Sequence, residues 1–227
     1  MTSGFLLINK PAGPTSHDIV DKVRKITGVK RVGHTGTLDP FAEGLLIILI
    51  GREATKKQIE FLKKDKEYIA TLLLGAETDT YDKTGKIANE YNDKLPIKEK
   101  IEEVLKKFEG EILQTPPIYS AKKIKGKKAY ELAREGKKVD LKPVKVTIGA
   151  IKVISYKVPC LKFHVLCSVG TYIRSLSHDI GRELGCGGYL KKLIRTKSGK
   201  FELKDAIGLN KLTSKNWQKL LLDIDKR

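Results

Sequence analysis

Apolar residues recur with two periods along the chain, and these periods predict both strands and helices. Short apolar or alternating runs predict strands at residues 5–9, 45–50, 68–74, 144–156, 161–168 and 189–196. Apolar positions three or four residues apart predict helices at 16–27, 55–62, 97–108, 171–184 and 217–224. Because strands and helices do not alternate at regular βαβ spacing, we expect one α+β domain over residues 1–227 with a mixed, mainly antiparallel sheet flanked by helices.

Local signals sharpen three of these elements. Thr15-Ser16 offers a cap for the first helix, and Gly28 is a residue that typically ends one. The run 68–74 is apolar at both odd and even positions, which predicts a strand at the centre of a sheet. The helix at 97–108 has its apolar residues on one side, so we expect it to cover a sheet face.

The charge of the chain points to a polyanionic partner. Lysine and arginine number 45 against 27 acids, a net charge of +18, and such an excess is typical of nucleic-acid-binding proteins, although it also suits a solubilising surface. The longest apolar run, 45–50, is much shorter than the roughly 20 residues that span a bilayer. The strand-like run that starts at Phe5 predicts no signal peptide at the start of the chain. We therefore expect a soluble, cytoplasmic protein with no membrane partner.

Cysteine and histidine spacing argues against disulfides and metal ions. Cys160, Cys167 and Cys186 include no CxxC pair, and the four histidines show neither HxxxH nor HExxH spacing. We expect no metal site.

Residues 115–145 form a basic segment of unusual composition. Its lysines include Lys122, Lys123, Lys125, Lys127 and Lys128. Such a run is usually a solvated surface, but interleaving with Tyr119 and Tyr130 suits an RNA-binding insertion equally well.

The stretch GHTGTLDPFAEG, residues 33–44, combines three glycines with an Asp-Pro pair. It lacks the glycine spacing and the GK[ST] ending of phosphate-binding loops. A plain turn at Asp39-Pro40 is the ordinary interpretation. However, Gly33, Gly36 and Gly44 permit unusual backbone angles, and Pro40 restricts the chain after the acid, so the stretch is also suited to presenting one carboxylate.

GHTGTLDPFAEG closely resembles the signature of the TruB-type pseudouridine synthases. Further blocks resemble the family in the same order, so that the resemblance covers nearly all of residues 4–207. These blocks are LLINKPAGPTSHDIVDKVRK, DKEYIATLLLGAETDTYDKTG, PPIYSAKKIKGKKAYELAREG and CSVGTYIRSLSHDIGRELGCGGYLKKLIRTKSGKF. The resemblance implies the pseudouridine synthase fold and isomerisation of uridine 55 in the T loop of tRNA.

The resemblance also implies roles for single residues. Asp39 matches the catalytic aspartate, which is ionised at neutral pH without special activation. Arg174 matches the arginine that the family pairs with that carboxylate; without the motif, Arg174 would be interpreted as a surface cation.

The target base lies inside a folded RNA loop, so the enzyme must flip it out and stack it on an aromatic ring. Tyr68 matches the tyrosine that packs on the flipped base, and the resemblance also suits it to handling the proton lost from C5. Tyr172 matches a second tyrosine of the pocket, and Leu193 matches an apolar pocket residue. His34 matches the histidine that stacks where the base has left. Taken alone, these four residues would be interpreted as strand, helix or loop packing.

The isomerisation consumes nothing, so no cofactor is expected. The implied partner is the T arm of tRNA, bound by a monomer that needs no protein partner.

Two features depart from the family. Glu43 stands where many members have threonine. The chain also ends where bacterial relatives continue into a PUA domain, and we expect the basic segment to replace that domain. Two alternatives stay open, namely a non-catalytic RNA-binding protein and the related synthase of guide-RNA particles.

Overall fold

The computed structural model describes residues 3–120, 122–124, 126–136 and 140–224, and these residues form fourteen strands and seven α-helices. The strands are β1 (Gly4–Lys10), β2 (Val32–Thr35), β3 (Glu43–Ile50), β4 (Lys66–Leu74), β5 (Ala76–Thr78), β6 (Ile87–Glu90), β7 (Gly110–Gln114), β8 (Lys123–Ile124), β9 (Lys127–Lys128), β10 (Val144–Lys157), β11 (Cys160–Cys167), β12 (Gly188–Ser198), β13 (Phe201–Glu202) and β14 (Ile207–Gly208). The helices are α1 (Ser16–Thr27), α2 (Arg52–Lys56), α3 (Gln58–Leu62), α4 (Lys98–Lys107), α5 (Ala129–Arg134), α6 (Ile173–Glu183) and α7 (Trp217–Leu220).

The chain divides into two compact units. The first unit comprises residues 1–68 and 193–227, and the second comprises residues 69–192.

The sheet of the first unit is built around β3. Strand β1 pairs with one edge of β3 in antiparallel register, from Gly4 with Ile50 to Lys10 with Gly44. The other edge is shared by antiparallel β2 and parallel β12. Every residue of β3 after the first is buried, because both its edges and both its faces are covered. The core beside it is lined by Phe5, Leu7, Leu45, Ile47, Leu49, Ala54, Phe61 and Ile224.

The cap and the end predicted for the first helix are confirmed in α1. The Thr15 hydroxyl accepts from the Asp18 amide at 3.0 Å, and the Asp18 carboxylate accepts from the Thr15 amide at 2.8 Å. Gly28 has a left-handed φ of 69° and ends the helix. The reciprocal bonds satisfy two amides that the first turn leaves without partners.

Three predictions for the first unit are wrong in part. The helix predicted at 55–62 is two short helices, because the amide of Lys57 bonds to the carbonyl of Ala54, a tighter turn than the α-helical one. The helix predicted at 217–224 ends at Leu220, since Leu222 instead exchanges backbone hydrogen bonds with Phe5 of β1. Residues 33–35, for which no strand was predicted, belong to β2.

The second unit has the strand order β12, β4, β11, β10 and β7. The strands predicted at 144–156 and 161–168 are confirmed as β10 and β11, which pair in antiparallel register, and β7 extends the sheet along β10. Strand β4 lies between two neighbours, which confirms its central position. Helix α4 buries Ile101, Val104 and Leu105 and packs on β10. The α+β class and the mixed, mainly antiparallel sheet are confirmed.

The β5–β6 hairpin lies outside the strands predicted from the sequence. In the described part of the chain, no helix combines the length and apolar character needed to cross a membrane.

Candidate active site

Asp39 lies half-buried in the segment that joins β2 to β3, residues 36–42, which we call the aspartate loop. Lys10, at the end of β1, is fully buried, and its Nζ donates to the carbonyl oxygens of Pro11 (2.9 Å), Pro40 (3.2 Å) and Ala42 (2.7 Å). An ammonium group has three protons to donate. Lys10 therefore uses its full donor capacity on backbone, including the two carbonyls just beyond Asp39.

Ser16 fixes the other side of Asp39. Its hydroxyl donates to the carbonyl of Leu38 at 3.0 Å and accepts from the amide of Leu38 at 2.9 Å. Ser16 is buried at the start of α1, so the loop is bound to a rigid element immediately before the aspartate.

Arg195 of β12 binds both ends of the loop region. It is 1% exposed, its Nε donates to the Leu45 carbonyl at 2.7 Å, and its Nη2 donates to the Gly36 carbonyl at 3.0 Å. Gly44 has φ 106°, and a Cβ there would lie 2.4 Å from the Arg195 carbonyl oxygen. Gly36 also has a left-handed φ, of 78°, whereas Gly33 does not, so two of the three glycines supply the predicted conformational freedom.

Burial lowers the pKa of Lys10 to about 8, while the nearby carboxylates of Asp39 and Glu43 act in the opposite direction. The Lys10 cation and the Asp39 carboxylate thus interact electrostatically. At neutral pH the cation is retained, with its three carbonyl partners satisfying the buried charge.

Lys10 should make stability depend on pH in alkaline solution. Its folded pKa of about 8 lies below the ordinary 10.5, so between these values the unfolded chain binds more protons. The free energy of unfolding should therefore rise across that window, by up to about 3 kcal/mol from this group. Urea unfolding of the wild type and of Lys10→Met from pH 7.5 to 10.5 measures this effect. If the difference in unfolding free energy between the two proteins stays constant with pH, the prediction is contradicted.

His34 lies on β2 with a partly buried side chain. Its backbone carbonyl accepts from the side-chain amide of Gln58 at 2.7 Å, and its buried Nδ1 has no hydrogen-bond partner among the residues that the structure describes. Burial is the main cause that lowers the pKa of His34, and the neighbouring basic side chains of Arg195 and His17 act in the same direction. The imidazole is therefore neutral at neutral pH.

Tyr68 and Leu193 are buried residues of the first unit. Tyr68 lies on β4 and is 7% exposed, and Leu193 lies on β12 and is 5% exposed. Ile194, the neighbour of Leu193, is in register with Glu43 at the start of β3. The β12–β3 pairing thus brings Leu193 near the end of the aspartate loop.

Arg174 belongs to the second unit and is not a surface cation. It lies on α6, is 5% exposed, and donates through Nη1 to the Thr80 carbonyl (3.1 Å) and through Nη2 to the Tyr119 carbonyl (2.8 Å). Its Nε lies 3.6 Å from Oδ2 of Asp82. The guanidinium plane is thus oriented by two carbonyls and one carboxylate.

Asp82 is a buried residue that the sequence did not single out. Its Oδ1 accepts from the Thr80 hydroxyl (3.0 Å) and the Thr84 amide (2.8 Å), which leaves Oδ2 toward Arg174. The two buried charges form an ion pair, and each also has hydrogen bonds to other groups, which makes such a pair tolerable. The available signal was its place in the block DTYDKTG, where alternating polar residues follow a buried strand.

Tyr172 immediately precedes α6, and its side chain is half-buried. Gln114, fully buried at the end of β7, accepts from the Tyr172 amide at 2.8 Å and donates to the Tyr172 carbonyl at 3.1 Å. This pair of bonds fixes the backbone two residues before Arg174.

A cationic cavity of about 610 Å³ opens on the first unit beside β2. Its lining contains no acidic side chain. The lining residues are Arg24, Lys30, Arg31, Val32, Gly33, Arg52, Thr55, Lys56 and Gln58. A concave surface with five cations favours a polyanion such as an RNA backbone.

The lysines proposed to bind RNA lie around the short β8–β9 hairpin. Lys122 is half-buried and Lys127 is exposed, Lys123 and Lys128 belong to the two strands, and Lys125 lies outside the described residues.

Among the described residues, no group of three or more His, Cys, Asp and Glu side chains is arranged to hold a metal ion. The residues missed by the sequence interpretation are Lys10, Ser16, Asp82 and Arg195. Three of these are charged residues buried in the interior, which composition and periodicity place at the surface.

The chain matches two family models in succession. Residues 24–173 match the TruB family pseudouridylate synthase N-terminal domain, and residues 174–224 match the tRNA pseudouridylate synthase B C-terminal domain. Among similar proteins, tRNA pseudouridine synthase B of Protochlamydia amoebophila is 50% identical over 90% of this chain and 77% of its own length. That of Aquifex aeolicus is 48% identical over 98% of this chain and 78% of its own length.

Solved structures agree with these matches. A Cbf5 complex with Nop10 and Gar1 contains a chain with 30% identity and a TM-score of 0.77, matched over 98% of this chain and 60% of that one. An H/ACA RNP bound to a substrate RNA has 30% identity and a TM-score of 0.70, matched over 94% and 53%. This chain thus spans between half and two thirds of those chains. By sequence and by fold, it belongs to the TruB family of tRNA pseudouridine synthases.

Proposed function

We propose that this protein isomerises uridine 55 in the T loop of tRNA to pseudouridine, with Asp39 as the nucleophile. The observation that carries the proposal is the aspartate loop, in which three buried side chains from separate elements bind the backbone around one half-buried carboxylate. Such a rigid mount suits a group that must attack at one position. The bond from uracil N1 to the ribose breaks, the base turns, and C5 forms the new bond to the ribose and loses its proton, while N1 gains one. The bond that Asp39 forms is broken again before the product leaves, so the carboxylate is regenerated and nothing is consumed.

The remaining residues take roles in recognising the flipped nucleotide. Tyr68 stacks on the base and handles the proton that C5 loses. Tyr172 and Leu193 line the pocket, and the neutral His34 stacks in the space that the base leaves. Arg174 supplies the cation that the family pairs with the catalytic carboxylate. The proposed reaction needs no cofactor, and we propose a monomer with no obligatory protein partner.

Activity on an isolated T-arm hairpin tests the proposal. Purified protein should release tritium from C5-labelled uridine in a hairpin with uridine at position 55, and a hairpin with cytidine there should release none. A non-catalytic RNA-binding protein would release nothing from either. The 30% identity to chains of H/ACA particles suggests the second candidate, a guide-dependent synthase. Activity that required added proteins or guide RNA would favour that candidate, whereas the higher identity to tRNA pseudouridine synthase B favours action alone.

RNA binding should depend on the basic segment. Reversing the charge of Lys125, Lys127 and Lys128 should raise KM for tRNA. The slope of log affinity against log salt concentration should become less steep, by an amount that corresponds to the loss of up to about three phosphate contacts. The matched control reverses three lysines of α4, namely Lys98, Lys100 and Lys106, and so changes net charge equally. Equal affinities for wild type and the segment variant would refute this role and leave the cationic cavity as the candidate RNA surface.

A further inference from the structure

Tyr81 is a residue in an unusual conformation beside Arg174. Its φ is 63°, and among the described residues no other non-glycine residue has a positive φ. Left-handed backbone brings Cβ close to the following carbonyl and is disfavoured for a large side chain. A conformation of this kind persists only where surrounding contacts compensate for it.

The compensating contacts are on the side chain and on the backbone of Tyr81. Its ring stacks on the imidazole of His178, with centroids 3.9 Å apart and planes 11° from parallel. Its carbonyl accepts from the amide of Leu190 at 3.0 Å, and its amide donates to the carbonyl of Thr78 at 3.2 Å. Burial lowers the pKa of His178, so two neutral rings stack at neutral pH.

His178 is in turn fixed by its surroundings. It is 7% exposed, and its Nδ1 lies 3.7 Å from Oε1 of buried Glu77. The other oxygen of Glu77 accepts from the Asn89 amide at 2.8 Å. The imidazole is therefore a buried surface that contacts both the Tyr81 ring and the Glu77 carboxylate.

Helix geometry connects this stack to Arg174. Arg174 and His178 are four residues apart on α6, so they lie on one face of the helix. Arg174 contacts the Thr80 carbonyl and the Asp82 carboxylate, and His178 contacts the residue between them. One helix face thus binds three consecutive residues.

We propose that Tyr81 and His178 form a positioning pair that keeps the Thr80 carbonyl and the Asp82 carboxylate aligned on Arg174. The inference rests on the proposed function, in which Arg174 supplies the catalytic cation. Loss of the stack lets residue 81 relax toward ordinary backbone angles. The two acceptors then turn away, and the guanidinium loses its orientation without losing its charge.

Steady-state kinetics on the T-arm hairpin tests the pair. Tyr81→Ala should lower kcat about tenfold with KM within about twofold, and Tyr81→Phe, which retains the ring, should keep kcat within about twofold. Tyr156→Ala is the matched control, since Tyr156 is a half-buried tyrosine of the same unit outside these contacts. His178→Ala should act like Tyr81→Ala, and the double variant should be no slower than either single one.

Further variants separate positioning from folding and from the proposed function. Tyr81→Asn has no ring but tolerates left-handed backbone, so by this mechanism it should retain more of the wild-type kcat than Tyr81→Ala. His178→Ala removes the stack and leaves residue 81 unchanged, so it tests the pair if Tyr81→Ala does not fold. An unchanged kcat in folded His178→Ala, or a loss expressed only in KM or melting temperature, overturns the positioning role. A wild type without activity on the hairpin instead contradicts the proposed function, which is a different result.

Discussion

Asp39→Asn is expected to lower kcat by at least about a thousandfold, because an amide has neither the charge nor the nucleophilicity of a carboxylate. The affinity for tRNA should stay within about twofold of wild type. Asparagine has nearly the same volume, and the bonds from Lys10, Ser16 and Arg195 are made to backbone atoms, so the loop should keep its conformation. Tritium release under single-turnover conditions and filter binding measure the two quantities.

The matched control for this experiment is Asp205→Asn, the same change at an exposed aspartate of the first unit. It should leave both kcat and affinity within about twofold of wild type. Substantial pseudouridine formed by purified Asp39→Asn would refute the assignment of the nucleophile. Loss of binding together with turnover would show that the carboxylate also maintains the RNA-binding conformation.

Arg174→Ala is expected to affect both stability and activity. It removes the buried partner of Asp82 and two carbonyl contacts, and breaking a buried pair by deleting one partner costs about 3–5 kcal/mol of unfolding free energy. The variant also lacks the cation proposed to serve the reaction. We therefore expect kcat to fall at least about a hundredfold, a typical effect of removing one preorganised electrostatic group.

Urea unfolding and hairpin kinetics measure these two effects separately. Arg182→Ala is the control, since Arg182 lies on the same helix with a side chain 69% exposed; it should change the free energy of unfolding by less than about 1 kcal/mol. Arg174→Lys keeps the charge but not the planar donor set, so an intermediate kcat is expected. A folded Arg174→Ala variant with wild-type kcat would exclude Arg174 from the reaction.

Local sequence signals determined the elements whose causes lie within a few residues. Helix α1 begins at the capping box, the reciprocal hydrogen bonds between Thr15 and Asp18, and ends at the left-handed Gly28. Both signals act within one helical turn, so they are visible in the local sequence. Apolar periodicity located α4 and β3, since burial of one helix face or of a whole strand leaves a direct trace in the order of residues. The motif around Asp39 was recognisable for the same reason, being contiguous.

Only the tertiary structure decided which residues support that motif. Arg195 reaches Gly36 across 159 residues and Leu45 across 150, and no short pattern encodes a bond of that separation. Buried Lys10, Asp82 and Arg195 also contradict the general preference of charged residues for water, which backbone carbonyls and opposite charges offset here. Similarly, the predicted last helix ended early because Leu222 bonds to Phe5.

The sequence by itself therefore determined the family, the fold class and the identity of the candidate nucleophile, because each is written in contiguous residues or in periodicity. The tertiary structure decided how the aspartate loop is fixed, how Arg174 is oriented by Thr80, Tyr119 and Asp82, and that Tyr81 stacks on His178. These arrangements depend on hydrogen bonds and packing between residues far apart in the chain, which exist only once the fold has formed.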